Sequence, residues 1–287
     1  MLKLKIKIIL MNKKTLIKNI LIKVDKALFR EKFRIFYRNE RQRRLERRLE
    51  RRLVSSKSDL YNYSFSFFYA RNENAQINKL CDLYGTDKGE SKKDNHPYEW
   101  KSHNYADFYE ILFRCRRKNV QLLIECGIGT NNINLASSMG INGKPGASLR
   151  MWRDFFPSAR IIGVDVDKKI LFNEERIETF YCDQLNKKSI ENFARQKNLL
   201  ENSADIILDD GLHTFEASVS FFEVMIKFLN EDGIYLIEDV NPNDMFLFKD
   251  YFSKMLEKFT VHFIKGNRPQ ASNVGDNRLI LIFKNNI

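Results

Sequence analysis

From about Gln121 the chain alternates short apolar runs with longer segments whose apolar residues recur every three or four positions. Five runs of strand length, over 121–129, 160–167, 176–183, 204–211 and 233–240, are apolar at consecutive rather than alternate positions. That pattern marks strands covered on both faces. Leu149, Trp152 and Phe156 between them share one helix face, as do Phe215, Val219, Phe222, Ile226 and Leu229, and later Met245, Phe248, Phe252 and Met255. Strand–helix alternation of this kind predicts an α/β fold, a Rossmann-like doubly wound sheet between helix layers. Two further runs, 259–266 and 278–285, are joined by a segment too short for a crossover helix. The last strand is therefore predicted to run antiparallel.

The chain before this core has a different texture. Residues 1–75 read as a basic helical extension, with Ile17, Ile20, Leu21, Val24 and Leu28 at helical spacing among lysines. The repeat RRLERRLERRL over 43–53 stacks Leu45, Leu49 and Leu53 on one helix face. Residues 1–60 hold 20 Lys/Arg against 6 Asp/Glu, whereas the remainder holds 29 against 31, so the excess of +12 belongs to the extension. Three readings of that extension are open: a leucine stripe packed on the protein body or on a sister subunit in a homo-oligomer, a weak contact with anionic membrane lipid, or nucleic-acid contact. The last is disfavoured, because aromatics for base stacking are sparse among the arginines. The longest apolar run near the start is Ile8-Ile9-Leu10-Met11, too short for a signal sequence or a bilayer span. Cys81, Cys115, Cys126 and Cys182 are widely spaced and fit reduced thiols of a cytoplasmic protein, peripheral to the inner membrane face if the extension binds lipid. Met1 and Met11 are both plausible starts.

Chemistry concentrates at strand ends. Glu125, Asp165, Asp183, Asp209/Asp210 and Glu238/Asp239 all close predicted strands, where an open α/β sheet binds its ligands. Like charges crowded on one edge cost stability unless a ligand or cation compensates them. Asp209-Asp210-Gly211 alone would pass for an ordinary Asp-Gly turn. Glu238-Asp239, arriving on the neighbouring strand, makes it half of a site. Gly127 and Gly129 form a turn after the first of these strands, but position 132 is Asn and Asp165 lies too far on for a dinucleotide fingerprint.

An acid followed by Gly-x-Gly, then acids closing the second and third strands, is similar instead to the layout of S-adenosylmethionine-dependent methyltransferases. The series YGTDKG (84–89), HNYADFYEILF (103–113), LLIECGIG (122–129), GASLRMWRDFFPSARIIGVDVD (146–167), CDQ (182–184), DIILDDGLH (205–213), DGIYLIEDV (232–240) and DNRLILIFK (276–284) resembles, in order, the metal-dependent sugar O-methyltransferases that act on macrolide glycosides of the mycinamicin type. It spans roughly residues 80–285. The Asn/Gly-rich stretch TNNINLASSMGINGKPG, between the glycine turn and its helix, departs from it.

The resemblance implies a Rossmann-like core over 119–287 and a helical lid over 76–118. It implies S-adenosyl-L-methionine held by Glu125, Gly127, Gly129, Ser148, Asp165, Asp183, Gln184 and Asp209, with Glu125 near the methionine end, Asp165 at the ribose and Asp183 near the adenine. Asp210, Glu238 and Asp239 would ligate Mg²⁺ or another hard divalent cation, which lowers the pKa of an acceptor hydroxyl and aims it. Asp210 and His213 are the expected catalytic pair, with His213 as general base; Asp209 could also orient Asp210. Tyr84, Thr86, Asp87, Lys88, His103 and Tyr105, with Tyr109 of the same segment, are expected in the lid or against the acceptor, a sugar or nucleotide-linked sugar of surface-polysaccharide synthesis. A catechol-like or lipid-linked alcohol is the alternative acceptor. A catalytically silent membrane-docking relative is a third reading, against which the intact Asp210, His213, Glu238 and Asp239 speak.

Overall fold

The computed structural model describes residues 63–68, 72–89, 98, 102–267 and 277–285. Of the basic helical extension expected over residues 1–75, residues 1–62, which hold the expected helices and the oligomer and lipid contacts, lie outside the described residues.

Nine strands form one sheet: β1 (Tyr63–Phe68), β2 (Leu122–Cys126), β3 (Arg160–Asp165), β4 (Asn173–Glu174), β5 (Ile177–Tyr181), β6 (Ala204–Asp209), β7 (Leu229–Ile237), β8 (Phe259–Asn267) and β9 (Arg278–Lys284). Their order is β1-β8-β9-β7-β6-β2-β3-β5-β4. β2 pairs in parallel with both β3 and β6, and β6 with β7, while β9 runs antiparallel to both β7 and β8. The predicted doubly wound sheet and reversed last strand are thus both present. Two strands were not anticipated. The short β4 pairs antiparallel with β5, and β1, from within the stretch assigned to the extension, pairs in parallel with β8.

Consecutive strand residues go to opposite layers, as the unbroken apolar runs require. Ile124, Ile162, Ile207 and Tyr235 enter one core with Ile190, Phe193, Phe221, Phe222 and Phe252. Leu123, Ile161, Ile206 and Ile234 enter the other with Tyr109, Phe113, Trp152, Phe155 and Phe156. The first layer is covered by α4 (Lys187–Gln196), α5 (Phe215–Met225) and α6 (Met245–Ser253), the second by α1 (Gln76–Tyr84), α2 (Tyr105–Phe113) and α3 (Ala147–Phe155). Asn186 caps α4 by accepting from Lys188 and Ser189 N–H, and Thr214 caps α5 by accepting from Ala217 N–H. The helix expected through Leu229 ends at Met225; one 3₁₀ turn follows and Leu229 already opens β7. A leucine followed by Asn-Glu-Asp-Gly satisfies helical spacing equally well, so periodicity could not place that boundary.

The chain turns from building the sheet outward through β3 and β5 to building it through β6 and β7 at the β2/β6 border. The loops that leave those two strands therefore diverge and open a crevice at their carboxyl ends.

Candidate active site

A cavity of about 610 Å³ occupies that crevice. Its walls include Gly127, Ile128, Gly129, Ser148, Asp165, Asp183 and Gln184, and its inner end reaches Thr86, Asp87, His103, Asp210, His213 and Asp239. That size suits a drug-sized or cofactor-sized ligand. The floor requires glycine. Gly127 has φ +84°, and a Cβ there would fall 1.9 Å from the Asp210 carbonyl oxygen. The loops after β2 and β6 are laced at this point, with Asp210 N–H donating to the Cys126 carbonyl at 2.8 Å. Gly129, at φ +82°, leaves room for the Met139 sulfur, which a Cβ would meet at 1.7 Å.

The expected cofactor residues divide into two groups. Gly127, Gly129, Ser148, Asp165, Asp183 and Gln184 line the cavity. Asp165 accepts from the N–H groups of Ile128 (3.0 Å) and Asp167 (2.8 Å), which ties the glycine turn to the end of β3. Gln184 donates to Asp209 Oδ1 at 2.5 Å and accepts from Leu212 N–H at 2.9 Å, bridging the loops after β5 and β6. Asp209 itself is buried beneath the wall. Ser148 sits at the start of α3, and its hydroxyl donates to Glu125 at 3.1 Å. Glu125 is fully buried, and burial pushes its carboxyl up to about 7 despite Lys88 beside it.

Beneath the reactive end lies a cluster that burial makes expensive and hydrogen bonds make tolerable. The Lys88 ammonium, 1 % exposed, lies 3.2 Å from Glu125 Oε1, 2.6 Å from Asp210 Oδ2 and 2.5 Å from Glu238 Oε2. Burial alone would strip its proton, but Asp210, Glu238 and Glu125 outweigh that and hold it protonated. Burial raises Glu238 well above the carboxylate range. Its other oxygen accepts from the Tyr109 hydroxyl. The Tyr109 ring is locked among Phe113 and Trp152, which fixes where that hydroxyl points.

Asp239 adjoins this cluster on its cavity side. The Tyr105 hydroxyl donates to its Oδ1 at 2.7 Å, and His103 Nδ1 is 2.8 Å from the same oxygen. Burial would raise Asp239, but His103 and His213 draw it below the usual carboxylate range. His213 Nε2 lies 3.9 Å from Asp239 Oδ2, and its Nδ1 has no hydrogen-bond partner among the described residues. His213 precedes the Thr214 cap, and its backbone is left-handed at φ 57°; Asp239 is left-handed too, at φ 51°. Non-glycine residues held there store strain, which clusters at functional sites. Asp210, His213 and Asp239 each present a ligand atom within 4.8 Å of the others, a donor set compatible with a divalent cation.

Four of the residues expected in the lid reach the site directly: Thr86, Asp87 and His103 line the cavity and Lys88 enters the acid cluster. Tyr105 reaches it through Asp239. Tyr84 is turned away, its hydroxyl donating to Asp154 of α3. Tyr109, one helical turn after Tyr105 and expected with it from the same segment, reaches the site through Glu238. The Asn/Gly-rich stretch shapes the cavity through Leu135–Met139 rather than through its Lys144-Pro145-Gly146 end, and Thr130 donates to Asp167 at 2.5 Å there. Among the described residues no helix is long and apolar enough to cross a membrane.

No protein-family model matches the chain. It is 30% identical over 145 residues to the 8-demethyl-8-alpha-L-rhamnosyl tetracenomycin-C 2'-O-methyltransferase of Streptomyces olivaceus, covering 50% of this chain and 35% of that protein. It is 30% identical over 138 residues to the mycinamicin VI 2''-O-methyltransferase of Micromonospora griseorubida, covering 48% and 32%. The aligned segment thus spans about a third of each curated relative. Among solved structures, the MycE methyltransferase of mycinamycin biosynthesis, in complex with Mg and SAH, superposes with a TM-score of 0.51 at 22% identity over 73% of this chain and 54% of that one. The sequence relatives are sugar O-methyltransferases, as the motif series implied, and the fold is the Rossmann-like methyltransferase fold.

Proposed function

We propose that this chain is an S-adenosylmethionine-dependent, divalent-metal-assisted O-methyltransferase acting on a sugar hydroxyl. One observation carries the reading: Asp210, His213 and Asp239 converge at the inner end of a cofactor-sized cavity whose floor is the Gly127 turn. Methyl transfer to an alcohol needs a deprotonated, aimed oxygen, since the sulfonium already supplies the leaving group. Asp210, Glu238 and Asp239 would hold the cation; once bound, it acidifies and orients the acceptor hydroxyl. His213 also lies within ligand distance, but a hard cation prefers oxygen donors, which leaves the imidazole for the proton. His213 Nε2 takes the hydroxyl proton as the acceptor oxygen forms its bond to the methyl carbon. S-adenosylmethionine would supply the methyl group and leave as S-adenosylhomocysteine, its sulfur keeping the electron pair of the broken carbon–sulfur bond. His103 and Tyr105 hold Asp239 charged and aimed throughout.

The acceptor we favour is a nucleotide-linked sugar or glycan intermediate of surface-polysaccharide synthesis, handled in the cytoplasm, with the basic extension touching anionic lipid. The test is a panel of sugar nucleotides, free glycosides and catechols incubated with S-adenosylmethionine and Mg²⁺, with methyl addition read by mass. Methylation of a sugar that stops with EDTA supports the reading; methylation confined to catechols, or turnover indifferent to EDTA, refutes it.

A further inference from the structure

Lys88 is a cation in a place where a protein seldom puts one. It comes from the loop between α1 and α2, not from the sheet, yet its ammonium reaches carboxylates at the ends of three different strands: Glu125 on β2, Asp210 after β6 and Glu238 after β7. An ammonium has three donors, and here three carboxylates surround it. Among the described residues no other lysine or arginine pairs with these acids. The loop is anchored, with Asp87 and Lys88 carbonyls accepting from His103 and Ala106 N–H at 2.8 Å each. Two of the three acids are those proposed to hold the divalent cation. Both oxygens of Glu238 are already engaged, one by Lys88 and the other by Tyr109, so a divalent cation reaching Glu238 has to contend with the ammonium.

We infer that Lys88 is the built-in counter-cation of this cluster: it holds Asp210 and Glu238 in position while no divalent cation is bound, and it competes with that cation for them. The inference rests on the proposed metal-assisted reading and makes Lys88 a positioning residue. Two cations cannot share the same carboxylate oxygens at hydrogen-bond distance without repulsion, so metal binding through Glu238 shifts the ammonium aside. Without Lys88 the acids would repel one another in the metal-free protein and grip a divalent cation harder.

The test uses the full chain as wild type, Lys88→Met and Lys88→Arg, each titrated calorimetrically with Mg²⁺ and with Mn²⁺ in the absence of S-adenosylmethionine. Lys88→Met should bind either cation roughly tenfold or more tightly than wild type, since a unit charge in contact with the ligands has gone. Its metal-free melting temperature should fall and recover on adding Mg²⁺. Lys88→Arg, which keeps the charge, should stay close to wild-type affinity. Affinity in Lys88→Met equal to or weaker than wild type overturns the inference while leaving the metal-assisted reading intact; no divalent binding in wild type or variant overturns both. A second measurement needs no variant: acetic anhydride labelling of wild type, read by peptide mass spectrometry, should modify Lys88 faster once Mg²⁺ is bound. Unchanged labelling at saturating Mg²⁺ overturns the displacement even if Lys88→Met fails to fold.

Discussion

Replacing His213 by glycine and by alanine separates its backbone cost from its chemistry. At φ 57° the residue is held in the left-handed region, where an L side chain costs roughly 1–2 kcal/mol that glycine avoids. Glycine loses part of that gain, about 0.5–1 kcal/mol, to the freedom of its unfolded chain. The net expectation is that His213→Gly is more stable than His213→Ala by roughly 0.5–1 kcal/mol, the reverse of their order inside a helix or strand. The imidazole's own contribution is small, because it is partly exposed and 3.9 Å from Asp239. For a folded unit of this size the two variants should melt about 1–4 °C apart, glycine higher. Both should bind S-adenosylmethionine as wild type does and lose turnover by about 10²–10⁴ if His213 is the base. Thermal and urea denaturation give the stabilities, and methyl transfer to the accepted sugar gives the rates. An alanine variant at least as stable as the glycine variant refutes the strain; turnover within a few fold of wild type refutes the base.

Other outcomes follow from the same geometry. Gly127→Ala pushes a Cβ to 1.9 Å from the Asp210 carbonyl, where backbone must yield, and should cost at least about 3 kcal/mol in urea denaturation through strain and overpacking together. Tyr109→Phe removes a donor to buried Glu238 and should lower stability by about 1.5–3 kcal/mol by the same assay. Glu125, raised from 4.5 to about 7 by burial, stabilises the fold below its unfolded value and loses that contribution as pH rises through 7. Across that window metal-free wild type should therefore lose about 3 kcal/mol more stability than Glu125→Gln does; parallel pH profiles in urea denaturation would contradict it. EDTA should abolish methyl transfer and Mg²⁺ restore it.

The alternation of apolar runs was enough to place seven of the nine strands and the reversal of β9, because strands buried on both faces leave an unambiguous mark. β4 has only two residues, both exposed, too short to leave a mark; β1, YSFSFF, alternates aromatic and serine residues at strand period, a legible signal passed over when this stretch is read as part of a helical extension. Strand-end acids marked the crevice, since topology alone decides where carboxyl ends gather. What each acid touches was not legible. Lys88, Tyr105 and Tyr109 are more than a hundred residues from Glu238 and Asp239 in sequence, and a buried lysine reads as a solvated one until the fold shows what surrounds it. The left-handed backbone at His213 and Asp239 was equally hidden, because histidine and aspartate, although enriched among the non-glycine residues at positive φ, adopt it too seldom for residue type alone to report it.

The Lys88 contact also bears on where this protein can be cut. A fragment of residues 119–287 keeps β2 through β9 and, by secondary structure, is a complete doubly wound sheet. It would still be electrically unfinished. Glu125, Asp210 and Glu238 would face one another without the ammonium, Glu238 without the Tyr109 hydroxyl, and Asp239 without His103 and Tyr105. A fragment meant to keep this site electrically complete should therefore be cut by charge rather than by strand count, upstream of Lys88.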